Sequence, residues 1–85
     1  MPQTIIMRGQ QHTFPPGTVA GNLTIVTTNP ASGNITYVLP PPPPMPAVPI
    51  VAPLPGGTVF TMVLPINGNT VTVINNTTSG LSCSY

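Results

Sequence analysis

Read from its amino end, the chain alternates apolar and polar residues in short stretches between prolines, and nowhere repeats apolar positions at the helical spacing of about 3.6. Asn22 to Thr28 alternates as a strand would, and Asn29-Pro30 stops it. Asn34 to Leu39 puts Ile35, Tyr37 and Leu39 on one face. Thr58 to Leu64 is apolar on both faces and predicts a strand buried on both. Asn67-Gly68 accepts positive φ at both positions and predicts a hairpin turn joining that strand to Asn69–Asn75, where Val71 and Val73 alternate with Thr70 and Thr72. Earlier, Gln3 to Arg8 reads as a short strand or arm, and Pro15-Pro16-Gly17 as a turn.

Prolines divide the middle of the chain. Pro40 to Pro44 predicts a polyproline II rod without internal hydrogen bonds. From Met45 to Pro55, prolines alternate with Ala47, Val48, Ile50, Val51, Ala52 and Leu54. That stretch is extended yet too apolar to stand free in water, so it is expected to lie along another surface such as a neighbouring subunit. Val38 to Gly57 lacks polar side chains but holds nine prolines, which rejects a membrane-spanning helix. The predicted fold class is all-β: a small antiparallel β-sandwich or barrel-like body with an extended proline-rich segment, completed by oligomerisation. Residues 1–21 are expected to form an N-terminal arm and residues 22–85 one β domain with a proline-rich insert at 40–55.

Composition sharpens this. The 85 residues contain no Asp, Glu or Lys and one Arg, Arg8, where an ordinary soluble domain is about a quarter charged. The mixed charges that keep monomers apart are missing. Cys83 is the only cysteine and His12 the only histidine, so neither an internal disulfide nor a structural zinc site can brace the fold. Oligomerisation is the remaining route for a small scaffold. No basic region followed by a long apolar stretch opens the chain, so manufacture in the cytoplasm is expected. One cation cannot release enough counterions to bind nucleic acid.

No side-chain carboxylate is available for acid–base work, for a Mg²⁺ or Ca²⁺ cage, or to orient a histidine. An enzyme is therefore not expected, and no cofactor. A Cys83–His12 nucleophilic dyad can be written, but a surface histidine and a small tail cysteine is the simpler reading. Asn22, Asn34, Asn75 and Asn76 each begin an N-glycosylation pattern, as chance supplies in a chain rich in Asn and Thr. The run Pro40–Pro44 lacks the flanking basic residue of SH3 ligands, which favours a spacer or strut. Arg8 has no acidic side chain at home and suits a carboxylate on another protein.

In order along the chain stand Asn34-Ile-Thr-Tyr-Val-Leu-Pro40, then Pro55-Gly-Gly-Thr-Val-Phe-Thr61, then Asn67-Gly-Asn-Thr-Val-Thr-Val-Ile74. This resembles a recurring pattern in bacteriophage fibre, spike and head-decoration proteins, over about half the chain. The resemblance implies a trimeric β-structure on a virion, made without a signal peptide. The high proline content between Leu39 and Pro55 and the short chain depart from that pattern, and favour a small head-decoration subunit or short head fibre over a complete tail fibre.

Together these readings predict a non-enzymatic capsid decoration or cement subunit on the virion surface, a trimer that binds the major capsid protein or another virion protein. Neither nucleic acid nor membrane is expected as a partner. The expected assembly contacts are Ile5, Ile6 and Arg8 in the arm and Pro40, Pro41, Pro42, Val48, Ile50, Val51 and Leu54 in the proline-rich stretch. Two alternatives stand beside it, a self-polymerising filament subunit and a short receptor-binding fibre module.

Overall fold

In the second half of the chain Val71, Val73, Asn75 and Thr77 are buried, while the residues between them face outward. Leu23, Ile25 and Thr27 do the same on their own strand. Such period-two burial is what one sheet covering another produces. The computed structural model describes residues 2–39 and 48–85, and these form eight strands: β1 (Gln3–Ile6), β2 (Gln11–Phe14), β3 (Asn22–Thr27), β4 (Gly33–Val38), β5 (Ile50–Pro53), β6 (Thr61–Pro65), β7 (Val71–Thr77) and β8 (Leu81–Ser84). Among the described residues there is no helix, and so none long and apolar enough to cross a membrane.

The strands make two antiparallel sheets, ordered β1-β8-β3-β6 and β2-β7-β4-β5. The pairing has one simple rule. Gln3 meets Ser84, Asn22 meets Pro65 and Asn34 meets Pro53, and each pair of residue numbers sums to 87. Gln11 meets Ile74, a sum of 85. Residues 2–39 therefore run antiparallel to residues 48–85, like the two arms of one long hairpin. Rolling that hairpin brings β8 onto β3 and β7 onto β4. Eight strands in two sheets, connected in this way, constitute a jelly roll.

Its core is filled from both sheets by Ile6, Phe14, Val19, Leu23, Ile25, Ile35, Leu64, Ile66, Val71, Val73, Leu81 and Cys83. Tyr37 and Leu39 pack against it, so the face shared by Ile35, Tyr37 and Leu39 points inward as their spacing predicts. Burying each large side chain contributes about 1.5–3 kcal/mol.

Several expectations need correction. Asn67 and Gly68 do have positive φ, +53° and +82°, and Asn69 N–H donates to the Ile66 carbonyl at 3.1 Å to close a tight turn. The turn does not make a hairpin. It carries the chain from β6 in one sheet to β7 in the other, because Ile66 and Asn67 N–H donate to the Gly21 carbonyl and Gly68 N–H to that of Val19, locking this corner to the β2–β3 connection. The first 21 residues, expected as an arm, give an edge strand to each sheet and Ile6, Phe14 and Val19 to the core. The segment expected to be buried on both faces is edge strand β6, with Val59 and Val63 more than half exposed. The presumed tail around Cys83 is β8, bonded on both sides to β1 and β3. Ile50–Pro53, expected against another surface, pairs with β4 of its own chain. The polyproline rod expected at Pro40–Pro44 lies outside the described residues.

Candidate assembly surface

Short connections between β1 and β2, β3 and β4, β5 and β6, and β7 and β8 stack the two sheets in matching order. One side of the sandwich is therefore edged by β1 and β2, the other by β5 and β6. Apolar exposure follows that division. Of the large apolar side chains exposed among the described residues, Val48, Ile50, Val51, Val59 and Val63 belong to the β5–β6 side, and Ile5 and Met7 to the β1 side. Scattered exposed apolar residues are ordinary, but five of these seven lie along the β5–β6 side, with Val51 and Val63 on the outer faces of their two sheets.

The residues singled out from sequence divide accordingly. Val48, Ile50 and Val51 come together on β5 or just before it, 64, 45 and 54 % exposed. Leu54 is only partly exposed and packs against the core. Ile5 is half exposed on the outer face of β1, and Arg8 is exposed in the β1–β2 connection, across the sandwich from Val48 and its neighbours. Ile6 is 2 % exposed and its side chain belongs to the core, because alternation along β1 turns it inward when Ile5 points out. Pro40, Pro41 and Pro42 lie outside the described residues. Val59 and Val63 escaped sequence reading, since an apolar run cannot reveal that its strand sits at a sheet edge.

The two candidate nucleophile partners are held apart in character. His12 is exposed on edge strand β2, its ring edge-on to Phe14 at 4.6 Å between centroids. Phe14 in turn stacks edge-on with Tyr85 at 5.3 Å. Cys83 is fully buried, and burial pushes its thiol up to about 11 from 9.0. A reactive cysteine needs the opposite shift. The folded state therefore keeps its proton when the unfolded chain would lose it. That contribution to stability is fully present below pH 9 and is lost as pH rises towards 11. Urea midpoints measured from pH 7 to 11 should fall across that window, and fall less steeply in Cys83→Ala. Equal slopes in the two proteins would show that the thiol plays no part. Of the glycosylation patterns, those at Asn22, Asn34 and Asn76 start on exposed residues, whereas Asn75 is sealed inside.

Comparison with protein-family models, curated proteins and solved structures finds no match to this chain.

Proposed function

We propose that this protein is a non-enzymatic structural subunit that decorates and cements an assembled phage capsid, acting as a trimer. The observation that carries the reading is the apolar β5–β6 side on a chain with no Asp, Glu or Lys. Such a surface gains by being covered, and has no charge to desolvate when it is. The jelly roll adds support by analogy, since the architecture recurs in viral capsid and lectin domains, though a fold hosts many functions. The sequence resemblance to head-decoration proteins points the same way.

In this reading the Val48–Val51 patch packs on sister subunits or on the capsid lattice, and Arg8, on the other side, meets a carboxylate of a capsid subunit. A ligand that binds only the closed lattice stabilises it by mass action. Purified protein mixed with assembled capsids and with unassembled capsid subunits should co-sediment saturably with the former alone and raise the temperature at which the shell dissociates. Binding to neither would overturn the proposal.

A further inference from the structure

Proline placement on edge strand β5 follows the phase of its hydrogen bonds. In an antiparallel ladder, residues of a hydrogen-bonded pair direct both N–H and C=O at the partner strand, and the intervening residues direct theirs away. Leu54 N–H donates to the Gly33 carbonyl at 2.9 Å. In the β4–β5 register this makes Ile35–Ala52 and Tyr37–Ile50 the hydrogen-bonded pairs. The backbone groups of Pro49, Val51, Pro53 and Pro55 then point outward, away from β4. Three of these four positions are proline, so the free edge of β5 presents one N–H, that of Val51. No strand can be added to an edge that offers a single donor and crowds its neighbour with proline rings.

The other edges differ. Tyr85 N–H donates to the Pro2 carbonyl, which fixes the phase of β1 and leaves Gln3 and Ile5 with outward N–H groups. Thr27 N–H donates to the Phe60 carbonyl, which leaves Thr61 and Val63 outward on β6 before Pro65 ends the row. On β2, Gln11 and Thr13 face out in the same way. Lysine and the acidic residues, the usual guards of a sheet edge, are missing from this chain, and its one arginine, Arg8, lies outside the strands. β5 is also the edge where exposed Val48, Ile50 and Val51 would most reward a sticky alignment.

We propose that Pro49, Pro53 and Pro55 are an edge guard that stands in for absent charge. They close β5 to strand addition, so sheet β2-β7-β4-β5 cannot be prolonged on that side, and contacts made through Val48, Ile50 and Val51 are made by side chains. The device is independent of the capsid reading, and it bars open-ended polymerisation through this edge.

The test is the double variant Pro49→Val, Pro53→Thr, whose new N–H groups point to solvent and remove no bond of the fold. Light scattering across a concentration series should show its mass rising several-fold above that of the unaltered protein, with elongated particles on a grid. Adding Val51→Lys to the same variant should return the mass to the starting value, because a central lysine guards an edge by charge. Unchanged mass in the double variant overturns the proposal, and so does association that Val51→Lys leaves intact. Loss of the β-sheet circular-dichroism signal in the double variant overturns it as well, since these prolines would then be needed by the fold itself.

Discussion

Gly33→Ala is expected to cost the protein a large share of its stability. Gly33 opens β4 opposite Thr77 with φ +108°, a region that side chains rarely adopt. A Cβ there would stand 2.3 Å from the Asn76 carbonyl oxygen and 3.1 Å from the Thr77 Cα. Both obstacles are backbone of a central strand, so neither can swing aside. Strained φ contributes roughly 1–3 kcal/mol and overpacking roughly as much again. Against a net stability of about 5–15 kcal/mol for a small domain, this sum approaches unfolding. Gly17→Ala provides the control. Its φ is +85°, but nothing lies within 4 Å of the added carbon, so it carries the conformational cost alone. Urea denaturation of the three proteins should rank Gly33→Ala far below Gly17→Ala. Equal losses in the two variants would mean that β7 yields, and that the close approach is not rigid.

The local chemistry of strands and turns was legible in the sequence, and the pairing was not. Alternation located β3, β4 and β7 to within two residues of their ends and placed Val71 and Val73 inside. The positive φ at Asn67 and Gly68 was also legible, because few residues tolerate it. What an Asn-Gly turn cannot say is whether the strands on either side bond to each other. Here four backbone hydrogen bonds between the turn and a loop some 50 residues upstream, three donated by the turn and one by Gly17 N–H, decide that they do not. In a jelly roll the partner of each outer strand lies at the far end of the chain, Gln3 against Ser84, and no window of sequence contains both. The strands that went unseen are the short ones. β2 (Gln-His-Thr-Phe) and β8 (Leu-Ser-Cys-Ser) have four residues each, with one apolar position in the first and two in the second. They are strands because a neighbour on the sheet completes their hydrogen bonding.

The exposed apolar edge was legible in the same partial way. Proline next to Val48, Ile50 and Val51 signalled extended chain with apolar side chains in need of cover, and those residues are exposed on a sheet edge. The spacing of Pro49, Pro53 and Pro55 held more. Alternate positions matter only once a register shows which way the missing N–H groups would point, and that register comes from β4. Ile6 went astray for the opposite reason, since a four-residue strand gives too little alternation to choose between Ile5 and Ile6.

Asn75 is where the roll is fastened, and its removal is the second large effect expected. The side chain is fully buried, and its amide donates to the Ile6 carbonyl at 2.9 Å and to the Ser79 carbonyl at 2.7 Å. Its Oδ1 accepts from the Thr77 N–H at 3.0 Å and lies 2.6 Å from Thr77 Oγ1. On its backbone, Asn75 receives a bond from Gly9 N–H and donates one to the Gln10 carbonyl. One residue thus ties the end of β1, the approach to β2 and the β7–β8 connection, segments almost 70 residues apart in sequence. All its polar atoms are satisfied, as are those of every buried side chain among the described residues. Asn75→Ala would leave the Thr77 N–H buried without a partner, at about 1–3 kcal/mol, open a cavity, and take one donor each from the Ile6 carbonyl and from the Ser79 carbonyl, which keeps its bond from Thr77 Oγ1. Asn75→Asp keeps the shape and reverses the amide's donors. Ionised, it can only accept, and would face two carbonyls as an unpaired buried charge. Protonated, it can donate to one of them. A carboxyl so placed has its folded-state pKa raised above the ordinary value of about 3.9, so its stability is present at low pH and lost as pH rises. Thermal unfolding should therefore show Asn75→Ala several kcal/mol below the unaltered protein at every pH, and Asn75→Asp recovering ground between pH 7 and pH 4. If Asn75→Ala unfolds within about 1 kcal/mol of the unaltered protein, the two sheets are held by apolar packing alone and the polar junction is incidental.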